Sequence, residues 1–410
     1  MSRIISTIAI TLVVSLTTLI IAGCAGFGAK TPSATSRDDA SGSAVASKPV
    51  ATTSQAAKSS ALKPGSIPTN TLVPMVDADS LEPPSYVGYE PLPSFTYHHV
   101  DPKLKNDIAI TPAAFEAQLK LLKDEGYSTI TARQLAEHHA KGTPLPNKPV
   151  MITFDDGWKN QYQYAAPLLA KYGFVATYFV NPQLIGFGSA YMTRDMLVTL
   201  SSAGNDIESH TWTHLALTRR GTESELDFQK RIMKQMTLAD TWLKQVVGHR
   251  PVALCYPFGY YDVGAVSRAK AAGYTLAFTT DEGVADARPW DAMIMKRFTV
   301  NRGDSIERFA ARLHSGVLEA RHIEPAPGTR VRGITATVTV DITDVPAGVS
   351  GIKLSSGTSM KEATIVRRGD RRYAIGLLKK TRVGTRQIIL SGQDAAGRAY
   401  YTSWCLVMGD

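Results

Sequence analysis

Cysteine is nearly absent from this chain: 410 residues contain three, at positions 24, 255 and 405. So few thiols exclude a disulfide framework. Cys255 and Cys405 are then either one isolated bridge or two buried, unpaired thiols, and the second reading is favoured. Long apolar runs are as scarce. One exists, "IISTIAITLVVSLTTLI", directly after Met1 to Arg3. From Ala25 to about Pro84 large apolar side chains are almost missing and Ser, Ala, Thr, Lys, Gly and Pro dominate. Such a stretch cannot bury enough surface to offset chain entropy, so it reads as a flexible tether. Internal repeats are missing too, which excludes a repeat architecture.

The apolar run is N-terminal, follows the positive Arg3 and ends in Ile21-Ala22-Gly23-Cys24. This is the pattern of a signal-peptide h-region. The small residues before Cys24 resemble a bacterial lipobox, which implies cleavage before Cys24 and lipidation of its thiol. Residues 1–23 are then a signal peptide and 24–84 a tether. The alternative is a transmembrane anchor; either way the protein is exported and membrane-tethered. The formal charge of +9 is uneven, because residues 330–410 carry 13 Lys plus Arg against 6 Asp plus Glu, a net of +7. An anionic glycan, a membrane surface or merely solvated basic residues fit this excess, and export argues against nucleic acid.

Beyond the tether, strand-like and helix-like stretches alternate at short spacing. "SFTYHHV" (94–100) reads as a strand; 111–126 reads as a helix, with Thr at its start, Pro just inside and Gly as a stop. "KPVMITFDDG", "FVATYFVNP", "NDIESHTWTH", "PVALCYPFG" and "TLAFTT" read as further strands with helices between them. This order predicts a parallel β/α sheet or barrel over 85–325, with chemistry gathered where strands end. After "EPAPGTRVRG" the period changes to two, and six strand-like segments follow without a helix. Residues 330–410 are therefore predicted to form a small antiparallel β-sandwich.

The chemistry starts with "MITFDDGWKN". Adjacent Asp155 and Asp156 would point to opposite faces of a strand and repel each other. If the backbone turns at the strand's end they face one cavity, and a cation can neutralise one of them. "ESHTWTH" offers His210 and His214, four apart and on one face if that turn is helical. Two imidazoles and a carboxylate make a three-ligand divalent site with open positions, leaving the other carboxylate as a base.

"TFDDG", "SHTWTH" and "YPFG", in this order, resemble the polysaccharide deacetylase domain of the family-four carbohydrate esterases, over about residues 94–315. "ATYFV" (176–180) resembles the strand after the first motif. The resemblance implies a distorted (β/α) barrel, a divalent metal (zinc is expected) and hydrolysis of N-acetyl groups on an acetylated polysaccharide. It implies Asp155 as general base, Asp156, His210 and His214 as metal ligands, and the backbone N–H of Phe258 as oxyanion donor. Two departures stand out. The family's Arg-Pro-Pro-Tyr is replaced by Cys255-Tyr256-Pro257-Phe258, so the arginine that braces the base is missing; Arg297 in "MKRFTV" is the candidate substitute. The late acid histidine is represented only by His314 in "RLHSG", which reads as a surface residue. "FTYHHV" resembles the opening strand of the permuted deacetylases acting on poly-β-1,6-N-acetylglucosamine of biofilms. That resemblance points to His98 as the acid, with His99 facing the other way. His138 and His139 read as surface residues of a helix. Trp158, Trp212 and Tyr256 are candidate sugar-stacking residues, with core packing the alternative, and Tyr260 is a further candidate for the cleft.

The expected activity is N-deacetylation of an exopolysaccharide by a lipid-anchored envelope protein. Alternatives are deacetylation of peptidoglycan or another acetylated glycan, or a degenerate, glycan-binding domain. The intact set Asp155, Asp156, His210 and His214 speaks against degeneracy.

Overall fold

The computed structural model describes residues 90–289, 292–318, 320–357, 359–360, 363–379 and 384–409. The signal peptide, Cys24 and the tether read from the sequence lie outside these residues.

Seven parallel strands make the main sheet. They are β1 (Ser94–Tyr97), β2 (Pro149–Asp156), β3 (Thr177–Val180), β4 (Asp206–Ser209), β5 (Ala253–Cys255), β6 (Leu276–Phe278) and β7 (Phe298–Thr299). Their lateral order is β6-β5-β4-β3-β2-β1-β7, and Ser128–Thr129 adds a short parallel pairing at the start of β2. Sequential strands are thus neighbours, and only the last returns to the far edge. Because β6 and β7 do not pair, the sheet is a half-barrel, the distorted (β/α) barrel expected. Its central strands are buried on both faces, which is why "VMITF" and "TYFV" read as unbroken apolar runs.

The helices between strands begin where side chains cap them. Thr111 accepts from the Ala114 N–H at the start of α1 (Pro112–Asp124), with Pro112 in the first turn. Thr131 and Gln134 form a reciprocal capping box on α2 (Ala132–Lys141). The helix between β2 and β3 opens with one π-helical turn over Gln161–Ala165 before the α-helical Ala166–Tyr172. That wider turn carries Gln161 under the ends of β1 and β2, as described below. Among the described residues no helix is long and apolar enough to cross a membrane.

The C-terminal region is two packed sheets. One joins β8 (Gly316–Val317), β10 (Arg330–Arg332), β12 (Ser350–Ser355), β15 (Gly384–Gln393) and β16 (Ala399–Gly409). The other orders β9 (Arg321–Glu324), β11 (Ala336–Asp341), β14 (Arg371–Leu378) and β13 (Thr364–Arg368). Pairing is antiparallel except that β8 and β10 run parallel to β16. Strands 316–317 and 321–324, which the sequence pattern left with the barrel, belong to these sheets. Between them Val338, Val340, Ile388, Leu390, Trp404 and Leu406 form a separate apolar core.

Candidate active site

The strand register brings the chemistry to one end of the sheet. Tyr97 pairs with Phe154, Asp156 with Val180, Val180 with Ser209 and Cys255 with Phe278. The residues that follow or finish these strands, His98, Asp155, Asp156, His210 and Cys255, therefore meet at the C-terminal rim. Of the strand expected at 94–100, Ser94–Tyr97 lies beside the strand of Asp155 and Asp156 despite the intervening helix–strand–helix segment, whereas the chain bends at His98 and His99–Val100 pairs with Ala109–Ile110.

The adjacent aspartates share a site because Asp156 leaves the strand conformation, with φ 75°. This left-handed backbone is uncommon for a residue with a Cβ, and such residues concentrate at functional sites. Gly157, also at positive φ, continues the turn against Ile185 and Val180, where a Cβ would clash. The two histidines converge by a different route from the helical turn anticipated. Thr211 has φ 67° and His214 φ 58°, so the segment after β4 is a strained, non-helical bend. It brings both Nε2 atoms to Asp156 Oδ1, at 3.5 Å from His210 and 3.4 Å from His214.

These three groups fit a divalent cation. A tetrahedral site with bonds of about 2.0–2.1 Å has ligand-to-ligand edges of about 3.3–3.4 Å, close to the separations seen. Neighbouring groups orient His210 and Asp156 in the required sense. His210 Nδ1 lies 2.9 Å from the Cys255 carbonyl, so Nδ1–H donates there and the Nε2 lone pair faces Asp156. Trp158 Nε1–H donates to Asp156 Oδ2 at 2.9 Å, leaving Oδ1 toward the histidines. Burial pushes His214 below its ordinary value, toward the neutral imidazole that a ligand must be.

Asp155 sits in a different environment. It is 2% exposed and receives Arg297 through two hydrogen bonds, Nη1 to Oδ1 and Nη2 to Oδ2, both 2.8 Å. Burial opposes its ionisation, but the Arg297 guanidinium outweighs that and holds the carboxyl at about 2. Arg297 is itself fully buried and also donates to the Thr279 carbonyl at 2.9 Å, Thr153 Oγ1 at 3.0 Å and Cys255 Sγ at 3.0 Å. The departure at Cys255 is thus resolved in space. A small thiol on β5 leaves room for a guanidinium arriving from the start of β7. Burial pushes the Cys255 thiol up, so it stays protonated and points its S–H at Asp155 Oδ2, 3.4 Å away.

His98 lies close enough to Asp155, Asp156 and His214 for its charge to act on all three. Its Nδ1 is buried and has no hydrogen-bond partner among the described residues. Gln161, which the sequence reading missed, ties the site's floor together: its amide donates to the His98 carbonyl at 2.8 Å and the Asp155 carbonyl at 2.6 Å. Nothing local in the sequence marks it, because its reach depends on the π-turn. Phe258 has φ 61°, is 54% exposed and sets its ring 4.5 Å from that of His214, edge to face. No group among the described residues accepts from its backbone N–H.

A family model for polysaccharide deacetylases matches residues 142–277. A Bacillus subtilis (strain 168) protein, YxkH, whose name assigns it provisionally to the polysaccharide deacetylases, is 31% identical over 227 residues, covering 55% of this chain and 76% of that protein. The chain belongs to the polysaccharide deacetylase family. As such it is a hydrolase of N-acetyl amide bonds. The poly-beta-1,6-N-acetyl-D-glucosamine N-deacetylase of Escherichia coli (strain K12) is 22% identical over 280 residues, covering 59% of this chain but only 41% of that protein. Among solved structures, the Streptococcus pyogenes deacetylase PplD in complex with acetate is 25% identical, with a TM-score of 0.49, covering 55% of this chain and 99% of that one.

Other anticipated residues of the deacetylase lie elsewhere or do something else. Tyr256 is not a cleft residue: it is fully buried, and its hydroxyl donates to the Met293 carbonyl at 3.1 Å. Trp158 is spoken for, since it donates to Asp156 and its ring stacks on Tyr191 at 4.4 Å and lies 4.5 Å from His99. Trp212 is half-buried beside the bend, where its carbonyl accepts from the Gln183 N–H. The aromatic surface that does open at the rim is Phe258, with Tyr260 5.8 Å from it. His314 ends helix Ile306–Leu313 at the surface, paired with Glu125 at 2.6 Å. His99 turns from the carboxylates to Asn160, 3.1 Å from its Nδ1. His138 and His139 bind the carbonyls of Thr143 and Ala287.

Proposed function

We propose that this deacetylase removes N-acetyl groups from an extracellular polysaccharide of the poly-β-1,6-N-acetylglucosamine type. In this reading it works as an exported protein anchored through a lipid on Cys24, with its tether lifting the folded part off the membrane. The observation that carries the reading is the division of labour between adjacent carboxylates: Asp156 faces two imidazoles, while Asp155 is ionised and clamped by Arg297. Asp156, His210 and His214 would hold the divalent ion, with zinc the expected metal. When bound, that ion supplies Lewis acidity toward the acetyl carbonyl and makes water more acidic. Asp155 takes the proton of the attacking water. In this reading the Phe258 backbone N–H donates to the oxygen that gains negative charge. His98 gives a proton to the departing amine, so the C–N bond breaks to acetate and a free amino sugar. The exopolysaccharide substrate is supported by the early position of His98 and by the names of relatives such as the E. coli enzyme.

The experiment is acetate release from poly-β-1,6-N-acetylglucosamine, peptidoglycan and other acetylated glycans, with and without chelator, for the wild type and Asp155→Asn. The reading expects turnover on the first polymer, loss with chelator, and near-complete loss in Asp155→Asn with its metal retained. Turnover confined to peptidoglycan would overturn the substrate; chelator-resistant turnover would overturn the metal site.

A further inference from the structure

The face of the C-terminal sandwich that touches the barrel has a pattern of its own. On β15 and β16, Ile388, Leu390, Trp404 and Leu406 point into the sandwich core. The alternate positions Gln387, Tyr401, Ser403 and Cys405 point the other way, since Gln387 pairs with Cys405 and Ser391 with Tyr401. That outward face is also buried: Ser403 is 1% and Cys405 2% exposed. It lies on the segment Thr279–Gly283, which follows β6. Gln387 Nε2 donates to the Thr280 carbonyl at 3.2 Å and to Ser403 Oγ at 3.2 Å. Ser403 Oγ in turn donates to the Glu282 carbonyl at 2.9 Å. Gly283 is pressed so close that an added Cβ would stand 3.6 Å from Thr402 Cα and 2.8 Å from Lys296. The Tyr401 ring packs on Phe298, the residue after Arg297, with centroids 5.4 Å apart.

The other side of that segment carries the reaction's groups. The Thr279 carbonyl accepts from Arg297 Nε at 2.9 Å, and the Asp281 carbonyl accepts from the Arg297 N–H at 3.0 Å. Thr280 Oγ1 donates to the Phe258 carbonyl at 3.3 Å. Gly259 lies so close to Thr280 that a Cβ there would overlap its backbone nitrogen at 2.5 Å. One segment, bonded through its backbone to Met295 at Thr279 and to Arg297 at Asp281, thus fixes both the guanidinium on Asp155 and the turn of Phe258.

We propose that the sandwich is part of the catalytic architecture, with Gln387 and Ser403 as positioning residues that set Arg297 and Phe258 through segment 279–283. The proposal rests on the reading of Asp155 and Phe258 given above. An isolated half-barrel would leave this segment's outward carbonyls and Gly283 without the surface that holds them.

The test uses the full chain carrying Gln387→Met and Ser403→Ala, which remove both donors and keep the bulk of the face. Each hydrogen bond is worth a factor of about 2–10, so kcat for acetate release is expected to fall about tenfold with KM within about twofold. The Arg297 amide is expected to exchange its hydrogen at least tenfold faster relative to that of Ile152, a readout independent of turnover. Leu354→Ala, in the sandwich core and 2% exposed, is the control: it lowers the melting temperature without slowing turnover. Unchanged kcat and unchanged Arg297 exchange in the double variant overturn the proposal, as does an equal loss of kcat in Leu354→Ala. If the wild type releases no acetate from any glycan, the function reading fails, and the exchange measurement still decides the clamp.

Discussion

Replacing Arg297 with Met tests how Asp155 is held. The guanidinium is fully buried and makes its five hydrogen bonds to Asp155 (two), Thr153, Thr279 and Cys255. Met keeps the volume of the stem and removes every donor. Two terms set the magnitude. Arg297 holds Asp155 at about 2 against its ordinary 3.8, a difference worth roughly 2–3 kcal/mol. Because the native value is depressed, this contribution is present in full above about pH 4 and is lost as pH falls through about 2. The Thr279 carbonyl loses its charged donor, at a further cost of about 1–3 kcal/mol. The sum agrees with the roughly 3–5 kcal/mol that breaking a buried ion pair from one side costs. Urea unfolding at pH 7 is expected to show a loss of that size, and acetate release to fall at least a hundredfold because Asp155 is no longer oriented. Arg297→Lys keeps the charge but not the two-pronged geometry, so it is expected to lose less stability and nearly as much turnover. A stability loss below about 1 kcal/mol in Arg297→Met, with turnover within threefold of wild type, would refute the reasoning.

Trp158→Phe keeps the stack on Tyr191 but removes the donor to Asp156 Oδ2, so zinc affinity by titration is expected to fall about 10–100-fold; unchanged affinity would show that Asp156 needs no such anchor. Asp281 is pushed up to about 6 by burial, against hydrogen bonds from Tyr261 and Gln387. Its raised value means that folding takes up a proton between about pH 4 and 6, so stability falls as pH rises through that window. Asp281→Asn is therefore expected to flatten the pH dependence there and to gain on the order of 2–3 kcal/mol at pH 7; an unaltered profile would contradict this. His98→Ala is expected to depress turnover more than tenfold with metal content unchanged, whereas His314→Ala, at the surface on Glu125, is expected to be nearly silent. Equal effects of the two would remove His98 from the reaction.

The sequence by itself was enough for the family, the parallel β/α order and the two motifs whose Asp156, His210 and His214 converge, because these depend on local signals. Apolar runs bounded by Gly and Pro mark buried strands, and "TFDDG" and "SHTWTH" each sit within one strand end. It was enough, too, for the change to period two near residue 330, although the strands at 316–317 and 321–324 were too short to announce which core they join. What only the tertiary structure decided are relations between distant segments and unusual backbone angles. The histidines converge through positive φ at Thr211 and His214, which no helical spacing rule contains. Tyr256, aromatic and next to the turn of Phe258, was indistinguishable in sequence from a sugar platform, yet directly after β5 it is fully buried while the turn exposes Phe258. Arg297 reaches Asp155 from 142 residues away because β7 closes onto β1 at the far edge of the sheet. The clamp of Gln387 and Ser403 is of the same kind. Alternation predicts which residues share a face of β15 and β16, but packing alone determines that this face lies on the segment holding Arg297.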